Sequence, residues 1–376
     1  MPIRYTNELL DSSMGIPPLG CRYCDRGAKM VLYITGICKQ ECFYCPLSEK
    51  KKDKDVIYAN ERKVEGGDWS DRILDEAKRM KALGTGITGG DPMVVPERTM
   101  EIIKVLKNEF GVRHHIHLYT TGPFDMTLLP DMKESGLDEI RFHPPVSTWP
   151  SFTDPANGSS APYHELIMKA KEADLVTGLE IPAVVDVRCQ GEYSKGLEEL
   201  SQYAIKNGLE FVNINELEAS HTNMKTFKER GYELVGDSMA VKGSRELALS
   251  VMDKMQKKYP ESGTVLHLCT SVYKDSVQLR HRLKRTADNI KGPYDTVTDD
   301  GTLLRGIIET DVPDRLRNWI IETFEVPVEL MDIRRNKLQI AAWVLEEIGP
   351  ELEEECYISE VYPTWDSLEV ERMPVR

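Results

Sequence analysis

Short, nearly continuous apolar runs recur along the chain, each followed by a longer stretch with apolar positions at helical spacing. The first run, residues 29–35 (KMVLYIT), reads as a strand. Residues 69–83 read as a helix, with Ile73, Ala77 and Met80 on one face. Residues 86–92 (GITGGDP) read as a short strand ending in a glycine-rich turn, and residues 96–109 as a second helix. Further strands are expected at 115–120 (HIHLYT), at 139–143 (EIRFH), within 175–187, at 211–215 and at 265–269 (VLHLC). Helices are expected at 125–135, 163–173, 193–207, 224–230, 244–259 and 274–287. Residues 1–28 read as irregular. Residues 146–162, rich in Pro, Ser, Thr and Gly, read as a loop.

Strands alternating with helices of this length predict parallel strands joined by right-handed crossovers. Six or seven such units fit an α/β fold with an open or partial (βα)6 barrel better than a flat nucleotide-binding sheet. The pattern breaks at residues 289–300. Beyond the break, a strand at 303–309, a helix at 313–324, a strand at 328–333, a helix at 337–348 and an extended stretch at 356–375 predict a small α+β domain. The expected organisation is therefore an N-terminal cysteine-bearing segment (1–28), a main domain (29–290) and a C-terminal domain (291–376). Ligands in such folds gather at the carboxyl ends of the strands.

Composition adds limits. Hydrophobic residues make up 40% of the 376 and charged residues 29%, as in a soluble protein. The net charge of −14 argues against general nucleic-acid binding, which needs a basic face. No apolar run is long enough to span a membrane, and the first residues carry no secretory signal, so a cytoplasmic location is expected. There the eight cysteines are better read as metal ligands or buried apolar groups than as disulfides. The run EKKKDKD at 49–55 reads as a solvated loop.

Directly after the first strand stand Cys38, Cys42 and Cys45, spaced C-x3-C-x2-C. Iron–sulfur cubanes usually take four thiolates. Three cysteines in one loop hold three irons and leave the fourth open to a substrate. With Tyr44 at the aromatic position, this loop resembles the C-x3-C-x-aromatic-C loop of the radical S-adenosylmethionine (radical SAM) enzymes. That resemblance implies a 4Fe–4S cluster on Cys38, Cys42 and Cys45. It implies SAM as cosubstrate, an external electron donor, and radical abstraction of hydrogen from an unreactive carbon. It makes Gly89-Gly90-Asp91 the counterpart of a Gly-Gly-Glu turn that meets the SAM amino group. Here the acid is one methylene shorter. More loosely, it assigns cofactor contacts to Thr120, Thr121, Arg141, His143, Glu180, Asn213 and Asn215, all at strand ends. Each of these also reads as an ordinary polar group closing a strand.

Cys21 and Cys24 form a C-x2-C pair, the usual half-site for zinc or iron. With Cys269 at a strand end, they are candidates for a second metal site. Zinc, a single iron and an auxiliary cluster all remain open, as does the fourth ligand. Cys189 follows the fifth strand, and Cys356 reads as a small buried residue. The basic stretch with Lys274, Arg280, His281, Arg282, Lys284 and Arg285 reads either as a site for a phosphate-bearing cofactor or acidic partner, or as a solvated face.

Over its whole length the chain resembles an archaeal group related to pyruvate formate-lyase activating enzymes. The segments that carry this are GCRYCDRGAKMVLYITGICKQECFYCPL, NINELEAS and VYPTWDSLEVERMP. It also has the outline of methanogen radical SAM enzymes that C-methylate residues of methyl-coenzyme M reductase. That resemblance implies a protein substrate and a cobalamin held between the barrel and residues 290–376. C-methylation of a methyl-coenzyme M reductase residue is the first functional expectation, and activation of a glycyl-radical enzyme, without cobalamin, is the second. A non-catalytic metal scaffold is disfavoured by the Gly89-Gly90-Asp91 turn.

Overall fold

The computed structural model describes residues 4–7, 11–149, 161–188, 191–334 and 336–375. Cys189 and most of the loop expected at 146–162 lie outside the described residues. The chain divides into two compact units. The first comprises Met1–Asp25, Lys29–Leu74 and Ala82–Gln278; the second comprises Arg26–Ala28, Asp75–Lys81 and Leu279–Arg376.

The first unit is built on one sheet. Its strands in chain order are β1 (Arg4–Asn7), β2 (Asp11–Met14), β3 (Lys29–Tyr33), β4 (Ile57–Ala59), β5 (Arg62–Val64), β6 (Gly84–Thr88), β7 (His115–Thr120), β8 (Glu139–Phe142), β9 (Val176–Ala183), β10 (Phe211–Glu216) and β11 (Val265–Cys269). Across the sheet they lie in the order β1-β2-β11-β10-β9-β8-β7-β6-β3-β4-β5. β3 and β6 through β11 are parallel neighbours in chain order, the expected arrangement of repeated strand–helix units. The hairpin of β4 and β5 pairs antiparallel with β3, and β2 pairs antiparallel with β11.

The described residues of 1–28 are therefore not irregular throughout. The short polar run DSSM joins the sheet edge, and Leu19–Asp25 is helical, its first turn closed on the Pro18 carbonyl. Neither segment has the apolar periodicity by which an element announces itself.

The two faces of the parallel strands differ sharply. On one, Met30, Leu32, Ile87, Leu118, Ile140 and Leu179 are fully buried, and helices such as Ala161–Glu172, Glu192–Lys206 and Ser244–Lys258 pack on the strands. The alternate positions are polar: Lys29, His117, Glu139, Arg141, Asn213 and His267 are all buried as well. Period-two alternation thus separates an outer apolar layer from an inner polar wall. β6 contributes Gly84, Gly86 and Thr88 to that wall, the two glycines in register with Lys29, His115 and His117. A Cβ on Gly86 would stand 2.6 Å from His117 Nε2. Its absence lets the Lys29 ammonium reach across β6 to His117, 3.4 Å away.

The second unit carries an antiparallel sheet of β12 (Thr296–Val297), β13 (Leu303–Glu309), β14 (Met331–Arg334), β15 (Lys337–Ile340), β16 (Glu355–Val361) and β17 (Glu369–Pro374). Helices Pro313–Phe324 and Ala342–Ile348 supply Leu316, Ile320, Val344 and Leu345 to its core, which also holds Cys356. The helix expected at 337–348 is shorter than read. Lys337–Ile340 is strand, because Leu338 and Ile340 are buried and alternate with Lys337 and Gln339. The strand expected at 328–333 begins only at Met331.

The boundary between the units falls at Leu279, within the expected basic helix, whose Lys274–Leu279 part is π-helical. Arg280–Ile290 groups with the second unit through Arg285, which donates to the carbonyls of Met80 and Lys81, and Asn289, which donates to those of Lys78 and Arg79. Arg285 thus caps the end of a helix rather than standing ready for a phosphate. Among the described residues no helix is long and apolar enough to cross a membrane.

Candidate active site

A cavity of about 590 Å³ opens at the carboxyl ends of the parallel strands. Cys38, Cys42 and Cys45 line one wall, on the loop that follows β3. Gly89 and Gly90 line it beside them, because the turn after β6 runs against the cysteine loop. The Gly90 N–H donates to the Thr35 carbonyl at 2.7 Å and the Asp91 N–H to that of Ile37 at 2.8 Å. A Cβ on Gly89 would lie 2.4 Å from the Thr35 oxygen, and one on Gly90 2.4 Å from the Ile37 oxygen. Only glycine permits this approach. The charged run after the loop also helps to hold it: the Lys54 carbonyl accepts from the Gly36 N–H at 2.7 Å and the Lys51 carbonyl from the Tyr33 hydroxyl at 3.2 Å.

The three thiols suit a cubane. All are half-buried. Burial pushes the Cys42 thiol up to about 11, and Cys38 and Cys45 add to the rise by mutual repulsion. Cys38 is raised as well, first by burial. Such a crowded thiol set is one that cationic iron would relieve. Among the described residues no three His, Cys, Asp or Glu side chains close round one point as a single ion requires. A cubane does not ask for that, since each thiolate takes a different iron.

Tyr44, Thr120, Thr121, His143, Glu180 and Asn215 also line the cavity. Asp91 does not offer it a free oxygen. Its Oδ1 accepts from the Met93 N–H (2.9 Å) and the Thr120 hydroxyl (3.0 Å). Its Oδ2 accepts from the Thr121 N–H (3.1 Å) and hydroxyl (2.5 Å). These bonds brace the β6 turn to the end of β7, within reach of this shorter acid.

Arg141 likewise stands behind the cavity wall. It pairs with Glu139, donates to Glu180 Oε2 at 3.0 Å and to Cys21 Sγ at 3.5 Å, and is 1% exposed. Asn213 donates to Glu180 Oε2 at 2.8 Å and Asn215 to Glu180 Oε1 at 2.7 Å. Burial raises the Glu180 pKa, but Arg141 and the two amides outweigh it and hold the carboxylate below its ordinary value. His143 Nδ1 lies 2.7 Å from the Glu180 carbonyl, and its Nε2 lies 3.0 Å from the Tyr44 hydroxyl.

Cys21, Cys24 and Cys269 share one neighbourhood without forming a single-ion site. Cys21 Sγ accepts from Asn213 at 3.1 Å as well as from Arg141. The Cys24 thiol donates to Gln278 Oε1 at 3.0 Å, and Gln278 Nε2 donates to Cys269 Sγ at 3.5 Å. Burial opposes ionisation of Cys21, but Arg141 and His267 outweigh it and its pKa falls below that of free cysteine. Here the sulfurs act as hydrogen-bonding groups of the inner wall, so the expected zinc or iron ion on all three is not matched by their arrangement.

Sequence reasoning passed over two features. Phe43 packs against Tyr193, Phe227 and Tyr232, with the Arg230 guanidinium 4.0 Å from its ring centre, and so anchors the cysteine loop. Buried Asn223 donates to the Tyr44 carbonyl at 3.1 Å. Lys274, named from sequence as part of the basic stretch, lines the cavity and pairs with Glu218 at 3.1 Å. The aromatic neighbours of Phe43 are remote in the chain and carried no local signal. The alternating polar residues inside HIHLYT, read only as a strand, are the local signal by which the inner wall could have been found.

Known proteins bear on the site. The radical SAM superfamily profile matches residues 32–183, and a domain of unknown function (DUF8061) matches residues 301–375. A Methanocaldococcus jannaschii protein, provisionally named a glycyl-radical enzyme activating enzyme, is 38% identical over 100% of this chain and 97% of its own length. Among solved structures, Streptococcus suis SuiB bound to SAM is similar at 14% identity, with a TM-score of 0.43, over 65% of this chain and 50% of that one. The FeFe-hydrogenase maturase HydG from Carboxydothermus hydrogenoformans is similar at 16% identity, also at 0.43, over 63% and 52%.

Proposed function

This chain belongs to the radical SAM superfamily, and we propose that it acts on a protein: it cleaves SAM reductively and removes hydrogen from a carbon of a protein residue, as a glycyl-radical activase does. The observation that carries this reading is the single cavity that gathers Cys38, Cys42 and Cys45 beside the Gly89-Gly90 turn. Bound to those thiolates, a 4Fe–4S cluster would supply the electron for SAM cleavage, replenished by an external donor. The chain's own residues do the positioning. Phe43 and Asn223 fix the loop, Gly89 and Gly90 leave room along it, and Asp91 locks Thr120 and Thr121 beside it. Glu180, held ionised, faces the cavity with an acceptor for ribose or amino groups.

The activase reading leads because the full-length relative bears that name. C-methylation of a methyl-coenzyme M reductase residue with cobalamin, the first expectation from sequence, gains no observation in its favour.

Anaerobic reconstitution followed by SAM and reductant tests the proposal. About four irons per chain and formation of 5′-deoxyadenosine are expected, both lost in the Cys38/Cys42/Cys45→Ala triple variant. Product formation by that variant would refute the assignment. A glycyl-radical electron paramagnetic resonance (EPR) signal on a co-purified partner would support the activase reading. A methylated partner peptide would replace it.

A further inference from the structure

The charged run at 49–55 is built onto the cysteine loop. The Gly36 N–H, where that loop begins, donates to the Lys54 carbonyl at 2.7 Å, and the Asp53 N–H donates to the Gly36 carbonyl at 3.0 Å. A side chain on Gly36 would strike the Lys51 carbonyl. The Lys51 ammonium turns inward, 5.1 Å from the ring centre of Tyr33 and 4.3 Å from that of Tyr58. Arg98 clamps the far end. It donates to the two Asp55 oxygens at 2.5 and 2.8 Å and to the Ile34 carbonyl at 3.0 Å. Backbone bonds, an aromatic pair and a bidentate ion pair thus fix the run against the segment that carries Cys38, Cys42 and Cys45.

The other lysine side chains of the run stay outside. Lys50, Lys52 and Lys54 are exposed, as is Lys39 within the cysteine loop. Among the described residues none of these four has an ion-pair partner. On the outer helices, by contrast, Lys169 pairs with Glu172, Lys254 with Glu198 and Lys257 with Asp253. With Asp55 held by Arg98, the four lysines and Lys51 outnumber Glu41, Glu49 and Asp53, a local positive excess on a chain of net charge −14. Lys52 lines the cavity, but Lys39, Lys50 and Lys54 do not. A substrate has to enter the cavity, whereas an electron donor needs only the outer side of the cysteine loop. We propose that Lys39, Lys50, Lys52 and Lys54 form the docking surface for a small acidic one-electron carrier protein. One electron passes from the carrier, which is oxidised, to the cluster, which is reduced; no bond is made or broken. Unpaired charges of one sign steer an oppositely charged partner and are screened by salt, as suits a contact that must release the spent carrier. The proposal rests on the reading of Cys38, Cys42 and Cys45 as cluster ligands.

The test is anaerobic stopped-flow reduction of the reconstituted full chain, without SAM, by a photoreduced acidic flavodoxin and, separately, by photoreduced deazariboflavin, a small reductant that needs no docking. At low ionic strength the Lys50→Gln/Lys52→Gln/Lys54→Gln variant is expected to take electrons from flavodoxin about ten-fold more slowly than wild type. The deazariboflavin rate should not change. A Lys169→Gln/Lys254→Gln/Lys257→Gln control, with the same loss of charge, should be slowed far less. Raising the salt should slow wild type and draw the first variant's rate level with it. Zero-length carbodiimide cross-linking to flavodoxin, mapped by mass spectrometry, should fall on Lys39, Lys50, Lys52 and Lys54 in wild type, which needs no variant to fold. Equal flavodoxin rates in wild type and the first variant overturn the inference, even where substrate turnover falls, since the lysines would then serve the substrate. An equal slowing by deazariboflavin or in the control overturns it, as does a cross-link map centred elsewhere. A wild-type chain that assembles no four-iron cluster overturns the cluster assignment and this inference together. A sound cluster reduced at equal rates overturns this inference alone.

Discussion

Asp91 Oδ2 accepts from both the backbone N–H and the hydroxyl of Thr121, so one carboxylate oxygen fixes both the main chain and the side chain of that residue. The other oxygen holds Thr120 and the Met93 N–H. Asp91→Asn would turn an amide nitrogen toward one of these donor pairs. A loss of ~1–3 kcal/mol of stability is expected, the range for stranding buried donors. Urea denaturation of the apo-protein measures it. Thr121→Val, which removes one donor and leaves the N–H bond, should cost about 1 kcal/mol.

The ring of Phe43 lies parallel to that of Tyr232, with planes 7° apart, under the Arg230 guanidinium. Phe43→Ala is expected to cost about 2–3 kcal/mol, at or below the roughly 3–5 kcal/mol of a core phenylalanine truncation because the side chain is only half-buried. The more telling readout is iron loss from the reconstituted protein during a chelator challenge, which should be several-fold faster than in wild type. Arg230→Met should show a smaller effect, about 0.5–1 kcal/mol for the cation–π contact.

Burial and its neighbouring thiols raise Cys42 to about 11. In the apo-protein the thiol is therefore protonated at neutral pH and reacts slowly, because the thiolate is the nucleophile. Alkylation by iodoacetamide, followed residue by residue by mass spectrometry, should be suppressed at Cys42 at pH 8 relative to an unfolded control. Its rate should keep rising with pH until about 11.

His114 illustrates the opposite direction. Burial, helped by the Lys107 charge, lowers its pKa to about 4, and it sits 2.8 Å from the Thr85 hydroxyl. The folded state keeps it neutral at a pH where the unfolded chain, with a pKa near 6.5, takes up a proton. Its contribution is complete above about pH 6.5 and is lost as pH falls towards 4, by up to about 3 kcal/mol. The denaturation free energy of His114→Gln should fall less steeply than that of wild type across that window.

Much of the first unit could be read from the chain because its strands alternate with helices of regular period. The cysteine loop was legible because three ligands fit within a few residues. The remainder depends on partners that sequence does not place together. Arg141 at a strand end looks like a cofactor contact until Glu139, Glu180 and Cys21 are seen to use its donors. Cys21 and Cys24 have the spacing of a metal knuckle, but side chains from β8, β10 and the π-helix meet those sulfurs first. Lys337–Ile340 was lost to a neighbouring helix because four residues of period two are too few to stand out beside a longer helical pattern.

The two-faced strands carry a consequence for how this protein can change. Each parallel strand holds the fold together with one row of side chains and surrounds its chemistry with the other. A substitution on the apolar row, such as Leu118→Ala, is a loss of scaffold. One on the polar row, such as Asn215→Asp, redraws the electrical landscape that a reactant would meet. Because neighbouring residues on a strand fall into different rows, new chemistry can be written into the interior one letter at a time while the outer layer goes on folding the same barrel.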